Sequence, residues 1–307
     1  MTTDKEAGVV LVRPTTVLEG AGVRLQRSLG TPQFDYHDPF LLFDDFSSPN
    51  SDDYVRGFPW HPHRGIETVT YILSGQVKHL DSLGNGGLLG AGDVQWMSSG
   101  SGIMHEEMPQ PTAEPLIGFQ LWVNLPAKEK MSTPRYQNIA SDHIPTVVPG
   151  GGVSIRVVAG ELAGVRGPVT DIAASPTYLD VALEPHSQTT LPIPSGASAF
   201  AYVFRGEVSL TPAGSPEPIA ARAPTLAVAH GAAQISLLAG HVGGRLLWVT
   251  GSPLHEPIAR YGPFVMNTRE EIQQALADLH AGTFIRAQPK SDPHQWYAAR
   301  GEDERAP

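Results

Sequence analysis

The chain has no cysteine in its 307 residues. That excludes disulfides, thiolate zinc sites, iron–sulfur clusters and thiol nucleophiles, so any metal must be held by histidine and carboxylate. Positive charge is scarce as well: 21 Lys and Arg stand against 31 Asp and Glu, a net charge of −10. Without a basic footprint for phosphate backbones, direct nucleic-acid binding is not expected. No apolar run approaches the roughly 18 residues of a membrane helix. The opening MTTDKEAGVVLVRP also lacks the charged-then-apolar pattern of a secretory leader, so the expected location is the cytoplasm, away from membranes.

What the chain does have is turn-forming residues. Its 32 glycines and 28 prolines punctuate short Val/Ile/Leu runs, the pattern of many strands joined by bends. The length predicts two domains of about 100–150 residues each. Opening strands are expected at 8–14 and 22–28. Strand-like runs then fill 66–124 (IETVTYIL, GQVKHLDS, GDVQWMSS, IGFQLWVNL) and recur from about 153 to 250 (YLDVALEP, SAFAYVFRGEVSL, PTLAVA, QISLLA, RLLWVTG). The polar, proline-rich stretch 126–150 reads as the connection between them.

One helix is predicted, over 269–281 in TREEIQQALADLHAGT. Thr268 and Glu271 have capping-box spacing, Ile272, Ala275, Leu276 and Leu279 form an apolar face, and Gly282 ends it. The expected division is 1–137 and 138–307, the second part including the helix and a solvated tail, GEDERAP.

The two strand-rich regions resemble one another. Tyr71, Gly75 and Val77 in YILSGQV align with Tyr202, Gly206 and Val208 in YVFRGEV at a constant offset of 131, as two copies of one fold would. Carried back, the offset sets Pro192 and Pro194 against His61 and His63, and Ser198 against Glu67. The second copy is therefore expected to lack ligands.

The chemistry concentrates in the first copy. Residues i and i+2 of a strand share a face, so His61 and His63 point one way with Pro62 turned out. His105 and Glu107 repeat the spacing with Glu106 turned out. Two such pairs on neighbouring strands can converge on one divalent metal and leave positions open. Glu67 competes with Glu107 for the fourth place; Glu107 is favoured as ligand, with Glu67 lining the site. Either carboxylate could serve as general base beside a metal-bound hydroxyl.

Other candidates carry less. LGNGGLLGAG (83–92) reads as a hairpin rather than a nucleotide loop. Ser98–Ser101 form no arguable triad with His105, and Asp44 and Asp45 read as solvated or capping acids. His255 and Glu256 face opposite ways. Trp96, Met97, Met104, Phe119 and Trp122 read as barrel core, some lining the cavity.

The stretches DPFLLFDDF, GFPWHPHRGIETVTY, GDVQWMSSGSGIMHEEMP, FQLWVNLP and GPFVMNT resemble the cupin motifs, and within them the pirin family, over about residues 20–285. The resemblance implies an all-β protein of two tandem cupin (double-stranded β-helix, jelly-roll) barrels with a short C-terminal helix. It implies metal in the N-terminal barrel only, held by His61, His63, His105 and Glu107. Iron is the expected metal, although nitrogen/oxygen sites of this kind also take manganese, cobalt, nickel, copper or zinc.

The implied activity is of the quercetin 2,3-dioxygenase type, oxidative cleavage of a flavonol-like enolic substrate. The alternative is a non-enzymatic, iron-dependent redox-sensing regulator acting through a protein partner, in which a change of charge repositions Arg64 or nearby loops. An isomerase or decarboxylase on the same metal cup is a third reading. Trp60 departs from the expected pattern before the first ligand, where it would narrow the pocket mouth, and 211–235 matches more loosely.

Overall fold

Alternation of apolar and polar residues between glycine turns sets most of the strands. In the computed structural model, which describes residues 7–288, they run in chain order as β1 (Gly8–Val12), β2 (Thr15–Glu19), β3 (Val23–Leu29), β4 (Phe40–Asp45), β5 (Phe58–His63), β6 (Ile66–Ser74), β7 (Gln76–Asp81) and β8 (Gly86–Leu89). Next come β9 (Val94–Ser98), β10 (Ile103–Gln110), β11 (Ile117–Asn124), β12 (Arg135–Ile139), β13 (Thr146–Gly150), β14 (Val153–Ala159), β15 (Glu161–Leu162) and β16 (Val165–Arg166). The rest are β17 (Thr177–Leu183), β18 (Gln188–Pro192), β19 (Ser198–Pro212), β20 (Ile219–Arg222), β21 (Thr225–His230), β22 (Gln234–Gly251), β23 (Ala259–Tyr261) and β24 (Phe264–Met266), before one helix, α1 (Arg269–His280). The class is all-β, as expected. Among the described residues no helix is long and apolar enough to cross a membrane. The tail GEDERAP lies outside the described residues.

Backbone contacts divide the chain into two units, and the division is not contiguous. One unit contains Thr16–Gln26, Phe43–Ser141 and the segment from His255 onward; the other contains the N-terminal segment to Thr15, Arg27–Leu42 and Asp142–Leu254. A single cut at 137/138 therefore differs from the observed grouping. β1 pairs antiparallel with β21, and α1 packs its Ile272 and Ala275 against Phe264, Met266 and Phe284.

The first unit opposes two sheets. One has the order β5-β10-β7-β8, and the other β12-β9-β6-β11-β4-β3-β2. Ile72 from the larger sheet and Val77 and Leu89 from the smaller one share a buried cluster with Val23, Leu25, Phe46, Tyr54 and Leu116. The glycine-rich 83–92 is the β7–β8 hairpin, as read. Stretch 126–150 is not a bare connection: it carries β12, paired with β9, and β13, paired with β14. Polar, proline-bearing composition suits outermost strands as well as loops. At α1 the capping box between Thr268 and Glu271 is present in both directions.

The second unit is built on a sheet of order β1-β21-β19-β22-β17-β14-β13, with β18 on β22 and β20 on β19, and also holds the short pair β15-β16. β19 and β22 are 15 and 18 residues long, and their pairing shifts register between Val203/Arg205 and Gly206/Val208.

The internal repeat holds, but its register needs correcting. Keeping Val77 on Val208 sets His79 at Leu210. In the first unit His105 pairs with His61 and with Asp81, and Glu107 with His79. In the second, Leu191 pairs with Ile235, Leu210 with Leu237 and Pro212 with Ile235. Following these ladders, His61, His63, His105 and Glu107 correspond to Leu191, Ile193, Ile235 and Leu237, all buried in the apolar core of the second unit. Pro192 and Pro194 are exposed neighbours on the other face. The offset of 131 is one residue too long here, and in a strand a one-residue slip exchanges the faces.

Candidate metal centre

The centre is built on β5 and β10. Alternation brings His61, His63 and His105 together on the inner face, with ring centroids 4.8, 4.3 and 4.9 Å apart for the 61–63, 61–105 and 63–105 pairs. Each ring offers a nitrogen such that the three lie within 4.8 Å of one another, so a small inward shift of the rings would bring each to the roughly 2.0–2.1 Å of a metal–imidazole bond. His105 is 0% and His63 2% exposed. Neither nitrogen of His105 has a hydrogen-bond partner among the described residues, and an orphaned, buried imidazole aimed at two others fits a metal ligand.

The outer nitrogens of the other two rings are oriented by backbone. His61 Nδ1 lies 2.9 Å from Pro59 O, and His63 Nδ1 lies 3.4 Å from Pro263 O. When those Nδ1–H groups donate to the carbonyls, the Nε2 lone pairs are left for the common centre.

Burial also sets the charge state. It holds His61 below the ordinary imidazole value and His63 and His105 well below it, and the mutual repulsion of the rings adds to the effect on His63 and His105. The rings are thus neutral donors at neutral pH, the form a metal requires. As pH falls below about 6.5 the unfolded chain takes up protons that the folded sites refuse, so the metal-free protein loses stability there. Denaturant melts of metal-free protein at pH 7.5 and 5.5 should show the lower midpoint at pH 5.5, with the difference reduced in His105→Leu.

Glu107 shares its β10 face with His105 but lies outside the tight triad of nitrogens. It is 6% exposed. Thr70 Oγ1 sits 2.6 Å from Glu107 Oε1 and 3.0 Å from Gln120 Oε1. With one proton to give, that hydroxyl favours the charged carboxylate, leaving Glu107 Oε2 for other work. The Glu107 charge also raises the proton affinity of His61 against its burial.

Glu67 does not join the group. Gly65 turns the chain at φ +82°, so parity with His63 is not carried across the bend. Within β6, Glu67 and Thr70 are three residues apart and face opposite ways. Glu67 Oε2 accepts a hydrogen bond from Trp96 Nε1 at 2.9 Å, and Oε1 lies 3.8 Å from Arg135 Nη2. Thr68 and Thr70 occupy the site face instead, level with Trp122 and Gln120 of β11. The Trp122 ring meets the His63 ring edge to face at 5.1 Å.

Trp60 does not narrow the pocket from within. It alternates with His61 and His63, turns to the other face of β5 and is 39% exposed. Asp44 and Asp45 are buried rather than solvated, and Asp45 accepts from Ser47 N through Oδ1 in a local turn, not at a helix cap.

Arg64, read from the sequence as a group that moves at a surface, is 1% exposed. Its Nη1 donates to Asp278 Oδ2 at 2.8 Å, its Nε to Ser101 O at 2.7 Å and its Nη2 to Phe284 O at 3.3 Å. A Cβ on Gly65 would collide with Val265 O, so only glycine lets the 262–288 segment lie this close. Lys130 Nζ closes the same junction, donating to Gly65 O, Asn124 Oδ1 and Val265 O. The residue after ligand His63 is thus clamped by the C-terminal segment.

Two residues here escaped the sequence reading. His79 of β7 stands directly opposite Glu107, and Tyr136 of β12 stacks on its ring at 5.0 Å. His79 follows Val77 and precedes Asp81 at period two, a signal for the inner face once β7 is known to adjoin β10.

The comparisons agree with this construction. The family model described as Pirin matches residues 22–123, and that of the Pirin C-terminal cupin domain matches 178–285. The chain is 45% identical over 272 residues to a Pseudomonas aeruginosa protein provisionally named a quercetin 2,3-dioxygenase, covering 86% of this chain and 93% of that one. It is 41% identical over 263 residues to the pirin of Homo sapiens, covering 85% and 88%. A crystal structure of quercetin 2,3-dioxygenase from Acinetobacter baumannii superposes with a TM-score of 0.80 at 34% identity, covering 91% of this chain and 98% of that one. With both family models matched in order on a two-barrel all-β chain, the protein belongs to the pirin family.

Proposed function

We propose that this pirin-family protein is a metal-dependent dioxygenase of the quercetin 2,3-dioxygenase type, with ferrous iron as its metal and a flavonol-like enol as its substrate. The observation that supports it most is the convergence of three neutral imidazoles, two buried and one half-buried, beside one carboxylate. The similarity to proteins carrying that activity in their names points the same way. His61, His63, His105 and Glu107 are the proposed ligands. When bound, the metal lowers the pKa of a coordinated hydroxyl and stabilises its anion.

The chain's own residues supply the rest. Glu107, with Oε1 engaged by Thr70, can take the enolic proton on Oε2, a step that requires only hydrogen-bond reach. Trp122 against His63 and the buried Thr68 and Thr70 wall the inner face and exclude water. Pro59 and Pro263 carbonyls hold two ligands in one tautomer. The regulator reading lacks comparable support, because Arg64 is a buried clamp rather than a surface switch.

Oxygen uptake with a flavonol by iron-loaded protein tests the proposal, with His61→Ala as control. Uptake in the native protein that disappears in the variant is the expected result. Absent uptake, or uptake indifferent to the substitution, removes the proposal.

A further inference from the structure

His79 is a buried polar group that neither the fold nor the four proposed ligands account for. It is 0% exposed, and neither ring nitrogen has a hydrogen-bond partner among the described residues. Its nearest charged atom is Asp81 Oδ2 at 3.9 Å, too far for a hydrogen bond. Asp81 is itself committed, accepting from Leu83 N, Asn85 N and Asn85 Nδ2. A buried imidazole left in this condition is costly, so such groups call for an explanation.

Two further observations place His79 with the site. Its ring lies 5.2 Å from that of His105 and is held nearly parallel to Tyr136, at 19°. Tyr136 is in turn fixed by Gln95 Nε2, which donates to its hydroxyl oxygen at 3.1 Å. The second unit supplies an internal control. Where the first unit has His61, His63, His105, Glu107 and His79, the second has Leu191, Ile193, Ile235, Leu237 and Leu210, every one buried in apolar core. The barrel architecture therefore accepts a leucine at the His79 position, and the histidine accompanies the ligand set.

We propose that His79 is a ligand-facing residue: it hydrogen-bonds an oxygen of a small molecule with two neighbouring oxygens that chelates the metal from its open side. Its nitrogens lie outside the triad that could hold the cation, while its position opposite Glu107 on the inner face would set it beside such a chelate. A neutral imidazole has one donor and one acceptor, which suits a hydroxyl or keto oxygen and discriminates against a chelate with no polar group there. The inference rests on the metal-centre reading and specifies the ligand class of that site.

The test uses full-length protein loaded with cobalt(II), whose visible spectrum reports the ligand field, and 4-nitrocatechol as the chelating probe. In His79→Leu, the cobalt content per chain should equal that of the native protein, while the dissociation constant for nitrocatechol rises at least about 10-fold, the loss of one hydrogen bond to a buried ligand. His79→Gln, which keeps a donor and an acceptor, should recover part of the affinity. Equal affinity in native protein and His79→Leu overturns the proposal. So does loss of cobalt from folded His79→Leu, which would make His79 a metal ligand, and so does a native protein that does not bind nitrocatechol. If the His79 dependence is found but flavonol oxygen uptake is not, the dioxygenase reading alone falls.

Discussion

His105→Leu is expected to yield a folded protein that retains essentially no metal. His105 is fully buried with both ring nitrogens unpartnered among the described residues, so in the metal-free state its removal deletes no hydrogen bond to them. The corresponding position of the second unit holds Ile235 in a well-packed core. The variant's metal-free stability should therefore match or exceed that of the native metal-free protein. Its metal affinity should fall by more than the roughly 10–100-fold typical of losing an outer hydrogen-bond partner, because here a ligand itself is gone. Elemental analysis and denaturant melts of both forms check the two halves of the prediction. A destabilised variant that still binds metal would mean that His105 serves packing.

Asp278→Ala is expected to cost about 3–5 kcal/mol, the usual penalty for leaving a buried charge without its partner. That is a large share of a total stability of roughly 5–15 kcal/mol. Arg64 is buried and donates to Asp278 Oδ2 at 2.8 Å, and Arg286 Nη2 shares that oxygen at 2.9 Å. Burial pushes the Asp278 carboxyl up, but hydrogen bonds from Gln274, Arg64 and Arg286 outweigh it and hold the group at about 2. The stabilisation is therefore complete above the ordinary carboxylate value of about 3.9 and is lost as pH falls through about 2. The double variant Arg64→Met, Asp278→Ala should recover part of the loss, since it removes the orphaned cation. Chemical denaturation of Asp278→Ala, Arg64→Met and the double variant at neutral pH gives the comparison, and additive losses would show that the pair is not coupled.

Much of the centre can be read from residue spacing because strand alternation is strictly local. Two i,i+2 pairs, His61/His63 and His105/Glu107, share faces whatever surrounds them. What fails is anything that depends on crossing a turn or on distant chain. Glu67 keeps the parity of His63 only on paper, since the Gly65 bend resets the face. The repeat alignment is right through Val77 and Val208 but slips by one before the ligand strands, so it picks out exposed Pro192 and Pro194 instead of buried Leu191 and Ile193.

Arg64 looks like a surface cation until the helix 214 residues downstream covers it. The same long-range closure puts the C-terminal segment in the unit that carries the histidines and β1 in the other. His79 was invisible for a different reason. A lone histidine in a strand is ordinary, and only the β7–β10 ladder shows that it faces Glu107.

The proposed chemistry depends on one cation at one place. Anomalous diffraction from crystals of protein purified without added metal, collected on both sides of the iron absorption edge, tests it directly. The predicted map has a single peak per chain, within bonding distance of His61, His63, His105 and Glu107, and nothing among Leu191, Ile193, Ile235 and Leu237. A metal-free triad, or a peak at any other residues, would contradict it.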